Sequence, residues 1–306
     1  MAVEGERRKV FSASLEQAEQ LFAAASRVDW ASRPILLFYG LSQAGRAIAA
    51  AANSLNDDDS RLAGHGIKQV NLDDRPDLSA LEVMDTRKGS FVTLARALNS
   101  STVPDGTTLG EIWQTIPELA QHPLEKSAPG YPPLLLELFT PSAGDEVIYG
   151  AIRSKVLPAL LENTEEGVVS FLGHYPTLRD SLKPDNGIGS VNRAHEGMAL
   201  TRAWSMPQDV KALKRRITNP YLDRNDLWVF PAVVGNGRPL HPLISWWAVL
   251  FALSMLARYE PSSWVSHLTV DESADATRLE FAQDIALDVC PRLILNAIET
   301  VAGGVE

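Results

Sequence analysis

Arg46 is a charged residue in a segment otherwise made mainly of Ala, Ile, Leu, Gly and aromatic residues. Burying a guanidinium group without a partner is costly, so we expect Arg46 to reach solvent, a carboxylate or an anion. Together with Gln43, one helical turn earlier, it would form a polar stripe. The fork of guanidinium donors binds phosphate or carboxylate groups in a bidentate manner, so the stripe predicts anion binding. A structural salt bridge of Arg46 is the alternative.

His65 stands between Gly64 and Gly66. The free backbone on both sides suits a side chain that is presented into a cleft for proton transfer. An ordinary loop histidine is the alternative. Arg258 lies at the end of an apolar helical run, where the helix dipole favours a cation, and this position alone would explain an arginine there.

The functional hypothesis is that Arg46, His65 and Arg258 converge in one pocket among packed helices and bind an anion. Two nearby cations would lower the pKa of His65, which leaves the ring neutral near pH 7 and able to act as a base or as a donor to the anion. Arg238 and His241, next to a glycine-rich turn, are further binding candidates for the same pocket.

The sequence predicts neither a metal site nor a cofactor. Its six histidines are scattered, no His-Glu-x-x-His motif occurs, and Cys290 is the single cysteine. The glycine turn at 235–238 has neither the Lys-Ser/Thr of a phosphate loop nor the spacing of a dinucleotide-binding fingerprint.

The net charge of the chain argues against large anionic partners. The chain of 306 residues carries 28 Lys plus Arg against 38 Asp plus Glu, a formal charge of −10, so the whole molecule would repel a long duplex or an anionic membrane. A small local basic site is compatible with this charge. The single cysteine and the charged residues 1–10 favour a reducing cytoplasm. We interpret the apolar stretch 239–257 as a buried core helix, and we expect no membrane as a partner.

Helical periodicity predicts the elements that would position these residues. Apolar residues recur at three- and four-residue spacing over 15–25, after a Ser14 cap, and over 36–52, 243–259 and 279–301. The two most apolar helices, 36–52 and 243–259, are expected to pack together in the core. Further helices are predicted at 109–120, capped by Thr108 and Glu111, and at 154–163, 165–175 and 211–217.

Strand patterns are fewer, at 89–94, 197–205 and 226–234. The fold class predicted is therefore mainly α, in the α+β sense, with a small β-sheet or hairpin insertion. We expect 1–306 to form a single compact unit. Its parts would be an N-terminal helical part at 1–99, an irregular mixed α/β part at 100–240 that includes a polar loop at 183–192, and a C-terminal helical part at 241–306 that completes the core.

Three segments carry a resemblance to a known family. They are FYGLSQAGRAI at 38–48, GHG at 64–66 and FALSMLARYEPSSW at 251–264. Taken in order, they resemble the YaaC-like family of bacterial proteins, for which no biochemical activity is established. The resemblance therefore bears on fold more than on activity.

The first of these segments, followed by the His-Gly pair, is also similar to helical domains of the HEPN superfamily. That similarity implies a HEPN-like helical bundle, a homodimer paired through long helices, and an RNA or nucleotide anion as ligand. Catalytic HEPN ribonucleases carry an Arg and a later His separated by four to six intervening residues. The pairs Arg61/His65, Arg238/His241 and Arg258/His267 have three, two and eight intervening residues, so none fits.

The HEPN similarity implies an intracellular protein that binds nucleic acid or processes RNA, for example in defence or stress response. If the protein is an enzyme, the expectation is a metal-independent endoribonuclease with His65 as catalytic candidate and a site assembled from residues distant in sequence. The alternative is a non-catalytic scaffold or partner subunit of a protein complex. Trp246 and Trp247 are large apolar residues that would face a partner copy.

Overall fold

The structure, a computed structural model of the chain, divides into two compact units. The first comprises Met1–Ala128 and Leu240–Glu306, and the second comprises Pro129–Pro239. The residues it describes are 5–72, 77–139, 147–154, 164–179, 190–194, 197–205, 219–233 and 238–303.

Helices dominate the first unit and strands the second. The α-helices are α1 (Gly5–Ala25), α2 (Arg33–Ala51), α3 (Asp57–Ser60), α4 (Ser90–Ala97), α5 (Leu109–Trp113), α6 (Glu165–Gly173), α7 (Pro176–Arg179), α8 (Pro242–Tyr259), α9 (Pro261–Leu268) and α10 (Ala276–Ala302), with a 3₁₀ turn at Leu78–Ala80. The strands are β1 (Ile67–Gln69), β2 (Glu82–Asp85), β3 (Thr107–Thr108), β4 (Leu134–Phe139), β5 (Val147–Ser154), β6 (Ser190–Ala194), β7 (Gly197–Ser205), β8 (Asn219–Tyr221) and β9 (Asp223–Val229). The predicted mainly α fold with a sheet insertion is confirmed.

Helices α2 and α8 pack against each other in the core of the first unit, as the sequence predicts. The ring of Phe38 on α2 lies 5.4 Å from that of Phe251 and 6.2 Å from that of Trp247, both on α8. Tyr39 near the start of α2 contacts Arg258 at the end of α8, so the two helices run antiparallel.

Glycine permits this close approach at one point of α2. A Cβ at Gly45 would lie 2.5 Å from Cζ3 and 2.9 Å from Cη2 of Trp247, closer than real Cβ contacts. Trp246 and Trp247 are both fully buried within the unit, so the expectation that they face a partner copy is wrong. The homodimer stays a prediction without that support.

Two local predictions in the first unit need correction. Residues 90–97 form helix α4 and not a strand at 89–94, because a 3.6-residue repeat of Phe91, Leu94 and Ala95 buries one helical face. Ser14 is a buried residue inside α1, which begins at Gly5, and does not cap it. The predicted cap of α5 is confirmed as a capping box of Thr108 and Glu111, although the helix ends at Trp113.

The first unit also holds a three-stranded antiparallel sheet in the order β1-β2-β3. Its middle strand is β2, and β1 follows directly after the Gly64–Gly66 loop. This small sheet connects the loop that carries His65 to the segment that enters α4.

The second unit is built on a six-stranded antiparallel sheet in the order β6-β7-β5-β4-β9-β8. The long pair β5/β7 runs from Val147 opposite Ser205 to Ser154 opposite Met198. The strand predicted at 197–205 is confirmed, the one predicted at 226–234 corresponds to β9, and the helix predicted at 165–175 corresponds to α6. The predicted helix at 211–217 lies outside the described residues, as do most of the predicted helix at 154–163 and of the predicted loop at 183–192.

The division into units differs from the parts drawn on the sequence. Residues 100–128 belong with the helical unit, and the second unit begins at Pro129. The C-terminal helices, from Leu240 on, belong to the first unit. That the whole chain forms one compact unit stays a prediction.

Candidate functional site

The loop that carries His65 is fixed to the N-terminus of α4. The first N–H groups of a helix have no partner within it, and here they bond to this loop. The amide of Phe91 donates to the carbonyl oxygen of His65 at 3.0 Å, and the amide of Ser90 donates to that of Gly64 at 3.4 Å. The hydroxyl of Ser90 also donates to the carbonyl oxygen of Gly64, at 2.5 Å.

Two glycines make this docking sterically feasible. Gly66 has φ +76° and Gly89 has φ +99°, values at which a side chain is strained. A Cβ on Gly66 would lie 2.8 Å from the carbonyl carbon of Gly89 and 2.8 Å from the amide nitrogen of Phe91. The backbone at Gly66 therefore touches the start of α4 directly, and His65 is held at a defined position despite lying in a loop.

The ring of His65 lies over the α2/α8 contact. Its centroid is 5.5 Å from that of Phe38 and 6.4 Å from that of Phe251, while the residue as a whole is exposed. Burial against these rings lowers the pKa of His65, and the positive charges of Arg258 and then Arg46 lower it further. The neutral form is thus favoured near pH 7, although the sequence argument had named the two cations and not burial as the cause.

Arg258 is tied to the site by polar and aromatic contacts. Its Nη1 donates to the hydroxyl oxygen of Tyr39 at 2.9 Å, and its Nε donates to the carbonyl oxygen of Ser254 at 3.3 Å. The Nη2 group lies 3.0 Å from the sulfur of Met255. The guanidinium carbon is 5.7 Å from the ring centroid of Tyr39 and 5.1 Å from that of Tyr259.

Arg46 is anchored by one bond, from Nη1 to the carbonyl oxygen of Leu62 at 3.2 Å. This bond directs the side chain toward the segment that leads to His65. Among the residues that the structure describes, no carboxylate lies within 4.0 Å of the guanidinium of Arg46 or Arg258. Within the same residues, the salt bridge considered as the alternative for Arg46 is not formed.

Helix α2 presents a polar stripe beside the site. Tyr39, Gln43 and Arg46 are spaced by four and three residues, which places them on one helical face. All three are partly buried. Tyr39 was not among the residues singled out as candidates, although its spacing from Gln43 is a sequence signal that would have found it.

The structure does not bring His241 to this cluster. His241 caps the N-terminus of α8, where its Nδ1 accepts a hydrogen bond from the amide of Leu243 at 3.2 Å. Arg258 lies seventeen residues further along the same helix, about 25 Å away at the usual helical rise. Burial lowers the pKa of His241 to about 4. Arg238 is exposed and belongs to the second unit, so its role stays a prediction.

The described residues contain no group of three or more His, Cys, Asp or Glu side chains placed to hold a metal ion. Within them, one helix, α8, is long and apolar enough to cross a membrane by length and composition, and 83% of that stretch is buried inside the protein. This burial fits a core helix.

Comparison with known proteins supplies the family. The model of the family described as YaaC-like Protein matches residues 2–298, nearly the whole chain. The chain belongs to the YaaC-like family. No curated protein and no solved structure matches this YaaC-like protein. The comparisons give the similarity to HEPN domains no support.

Proposed function

We propose that this YaaC-like protein binds a phosphate-bearing anion, an RNA or a nucleotide, between Arg46 and Arg258 with His65 beside it. The observation that carries the proposal is that the positive charges of Arg258 and Arg46 both act on the exposed imidazole of His65 and lower its pKa. Among the described residues neither guanidinium has a carboxylate partner, so a bound anion would supply the missing negative charge.

The donors left over at the site match a phosphate group. Arg46 uses Nη1 for the carbonyl oxygen of Leu62, and its Nε and Nη2 make no hydrogen bond with a described residue. The amide of Gln43, one turn earlier, adds a donor that can reach the same side of α2. Charge-assisted bonds from arginine to phosphate are short, strong and bidentate, and a partly buried setting increases their strength.

His65 gives the site a group that can move a proton. A neutral imidazole at an exposed position can take the proton of an RNA 2′-hydroxyl group. The resulting oxygen then attacks the adjacent phosphorus, while the two arginines stabilise the added negative charge. The bond from phosphorus to the 5′-oxygen breaks, that oxygen leaves as a hydroxyl group with a proton from water, and a 2′,3′-cyclic phosphate remains. The RNA-processing role implied by the HEPN similarity would use this chemistry, without a metal ion.

The test separates binding from cleavage. Purified protein is titrated with inorganic phosphate and with a single-stranded RNA, in buffer containing a chelator, and the RNA is then examined for cleavage. We expect both to bind, Arg46→Ala to weaken binding about tenfold or more, and His65→Gln to abolish any cleavage while retaining binding. Arg292→Ala removes an exposed arginine from α10 and serves as the matched control.

Each outcome has a defined meaning. Binding without cleavage limits the proposal to an anion- or RNA-binding protein. Absence of binding by both probes overturns it and favours the alternative, a scaffold or partner subunit without a ligand at this place.

A further inference from the structure

We infer that the ligand of this site carries an unpaired nucleobase, which stacks on the ring of Tyr259. The inference rests on the proposed anion site and names the class of ligand that occupies it. In this inference Tyr259 determines which ligand is preferred, and the arginines bind its phosphate group.

Tyr259 is placed where a base bound next to the phosphate would lie. It is the last residue of α8 and directly follows Arg258, whose guanidinium carbon sits 5.1 Å from the centre of its ring. The residue is 61% exposed, the second-highest exposure among the large apolar residues that the structure describes. Solvent therefore reaches an aromatic ring immediately beside a cation.

The two tyrosines next to Arg258 have different surroundings. Tyr39 is partly buried, and its hydroxyl oxygen accepts the bond from Nη1. Tyr259 donates no hydrogen bond to a described residue, and no aromatic ring within the described part of the chain packs on it. Arg258 occupies one side of the Tyr259 ring, so the remaining exposed surface is free for a second flat group.

A nucleobase fits this arrangement better than a bare anion does. Bases stack on exposed tyrosine rings with little dependence on sequence, and an adjacent arginine binds the phosphate of the same nucleotide. Inorganic phosphate or sulfate would use the arginines and leave the Tyr259 ring in water. An exposed aromatic ring at this place would therefore make the site bind nucleotides more tightly than other anions.

The same argument excludes a long duplex as the main ligand. In a duplex the bases are stacked on each other, and their faces are not accessible to a protein ring. The net charge of −10 adds a general repulsion toward a long polyanion. A free nucleotide or an unpaired stretch of RNA satisfies both conditions, and the two sources differ only in chain length.

The experiment compares ligands that differ in the base alone. Ribose 5-phosphate and adenosine 5′-monophosphate are titrated into the full chain and into Tyr259→Ala, Tyr259→Phe and Leu295→Ala. The last variant removes an exposed apolar side chain far along the sequence, on α10, and controls for surface hydrophobicity. A single-stranded oligoadenylate and the same strand in a duplex complete the set.

We expect the wild-type protein to bind adenosine 5′-monophosphate about tenfold more tightly than ribose 5-phosphate. Tyr259→Ala should reduce this ratio to about one with ribose 5-phosphate affinity unchanged, whereas Tyr259→Phe and Leu295→Ala should keep it. The single strand should bind more tightly than the duplex. Tighter binding of the oligonucleotide than of the mononucleotide would identify unpaired RNA as the ligand. Equal binding would identify a free nucleotide as the ligand.

Three results would overturn the inference in distinguishable ways. If the wild-type protein binds the two monophosphates with equal affinity, no contact with the base is made, and the proposed anion site is still supported. An equal loss of both ligands in Tyr259→Ala means that the ring only positions Arg258. If neither ligand binds to the wild-type protein, the proposed function fails together with the inference.

Discussion

Arg258 and Tyr39 join helices α8 and α2 through a polar contact, 2.9 Å from guanidinium Nη1 to phenol oxygen. Tyr39 lies on the same face of α2 as Arg46, two helical turns earlier. The contact therefore sets the position of one cation of the site relative to the other, through the helix that carries both Tyr39 and Arg46.

Removal of this contact should loosen the site without dismantling the core. Tyr39→Phe keeps the ring and loses the acceptor, so the free energy of unfolding should fall by about 1 kcal/mol. Anion affinity should fall roughly threefold because Arg258 must then be ordered by the ligand. A double-mutant cycle with Arg258→Ala, read by chemical denaturation, should show a coupling of about 1 kcal/mol between the two side chains. Strict additivity would contradict the contact.

The fixed position of His65 depends on the glycine that follows it. Gly66→Ala should lower the free energy of unfolding by about 3 kcal/mol, since a Cβ there meets backbone atoms of Gly89 and Phe91 at 2.8 Å in addition to the cost of positive φ. Gly64→Ala is the matched control. It has φ +66° with open space around a Cβ and should lose only about 1 kcal/mol. Equal losses for the two variants, measured by urea denaturation, would mean that the loop does not dock on α4.

The packing of α2 on α8 predicts an unfavourable Gly→Ala substitution in a helix. Gly45→Ala gains about 1 kcal/mol in helix propensity but places a Cβ 2.5 Å from the fully buried ring of Trp247, with an expected net loss of about 1–2 kcal/mol. A Cβ at Gly40, in the same helix, would meet side-chain atoms of Phe22 at 3.1 Å and the Cβ of Leu21 at 3.4 Å. Gly40→Ala should be near neutral. A stabilised Gly45→Ala in thermal melts would contradict the close approach of the two helices.

Sequence periodicity was sufficient for the helical core and insufficient for the loop that carries His65. Long apolar repeats predicted α2, α8 and α10, because burial of one helical face is a local property of the chain. The region at 89–94 was misinterpreted as a strand, since a run of only six residues fits both periods. The helical structure of this region is supported by the docking of the Gly64–Gly66 loop on the first amides of α4. This is a contact between segments 25 residues apart.

His241 is a residue that the sequence analysis grouped with Arg258 and that the structure places elsewhere. It follows Arg238 in the chain, which made both candidates for one pocket. In the structure its Nδ1 accepts from the amide of Leu243 and caps α8, at the opposite end from Arg258. Proximity in sequence at a helix start says nothing about the residue at the far end of that helix.

The buried position of His241 makes the free energy of unfolding depend on pH. In the unfolded chain His241 has its ordinary pKa of 6.5, whereas burial in the folded protein lowers the pKa to about 4. As the pH falls below about 6.5, the unfolded state binds a proton that folded His241 does not, so stability decreases from about pH 6.5 to 4, by up to about 3 kcal/mol. His241→Asn still accepts from the Leu243 amide without titrating. The difference in unfolding free energy between the two proteins should follow this pH range, and parallel curves would contradict it.

The most direct test of the anion site is the pKa of His65 itself, followed by NMR of its ring proton and assigned with His65→Gln. Without ligand the pKa should lie below 6.5, and Arg46→Ala should raise it by removing one nearby positive charge. Saturating sulfate, which keeps its charge throughout this range, should raise it in the wild-type protein because a bound anion offsets both arginines. The raised pKa also requires sulfate to bind more tightly as the pH falls. A His65 pKa that responds to neither Arg46→Ala nor sulfate would contradict the account that these three residues form one anion site.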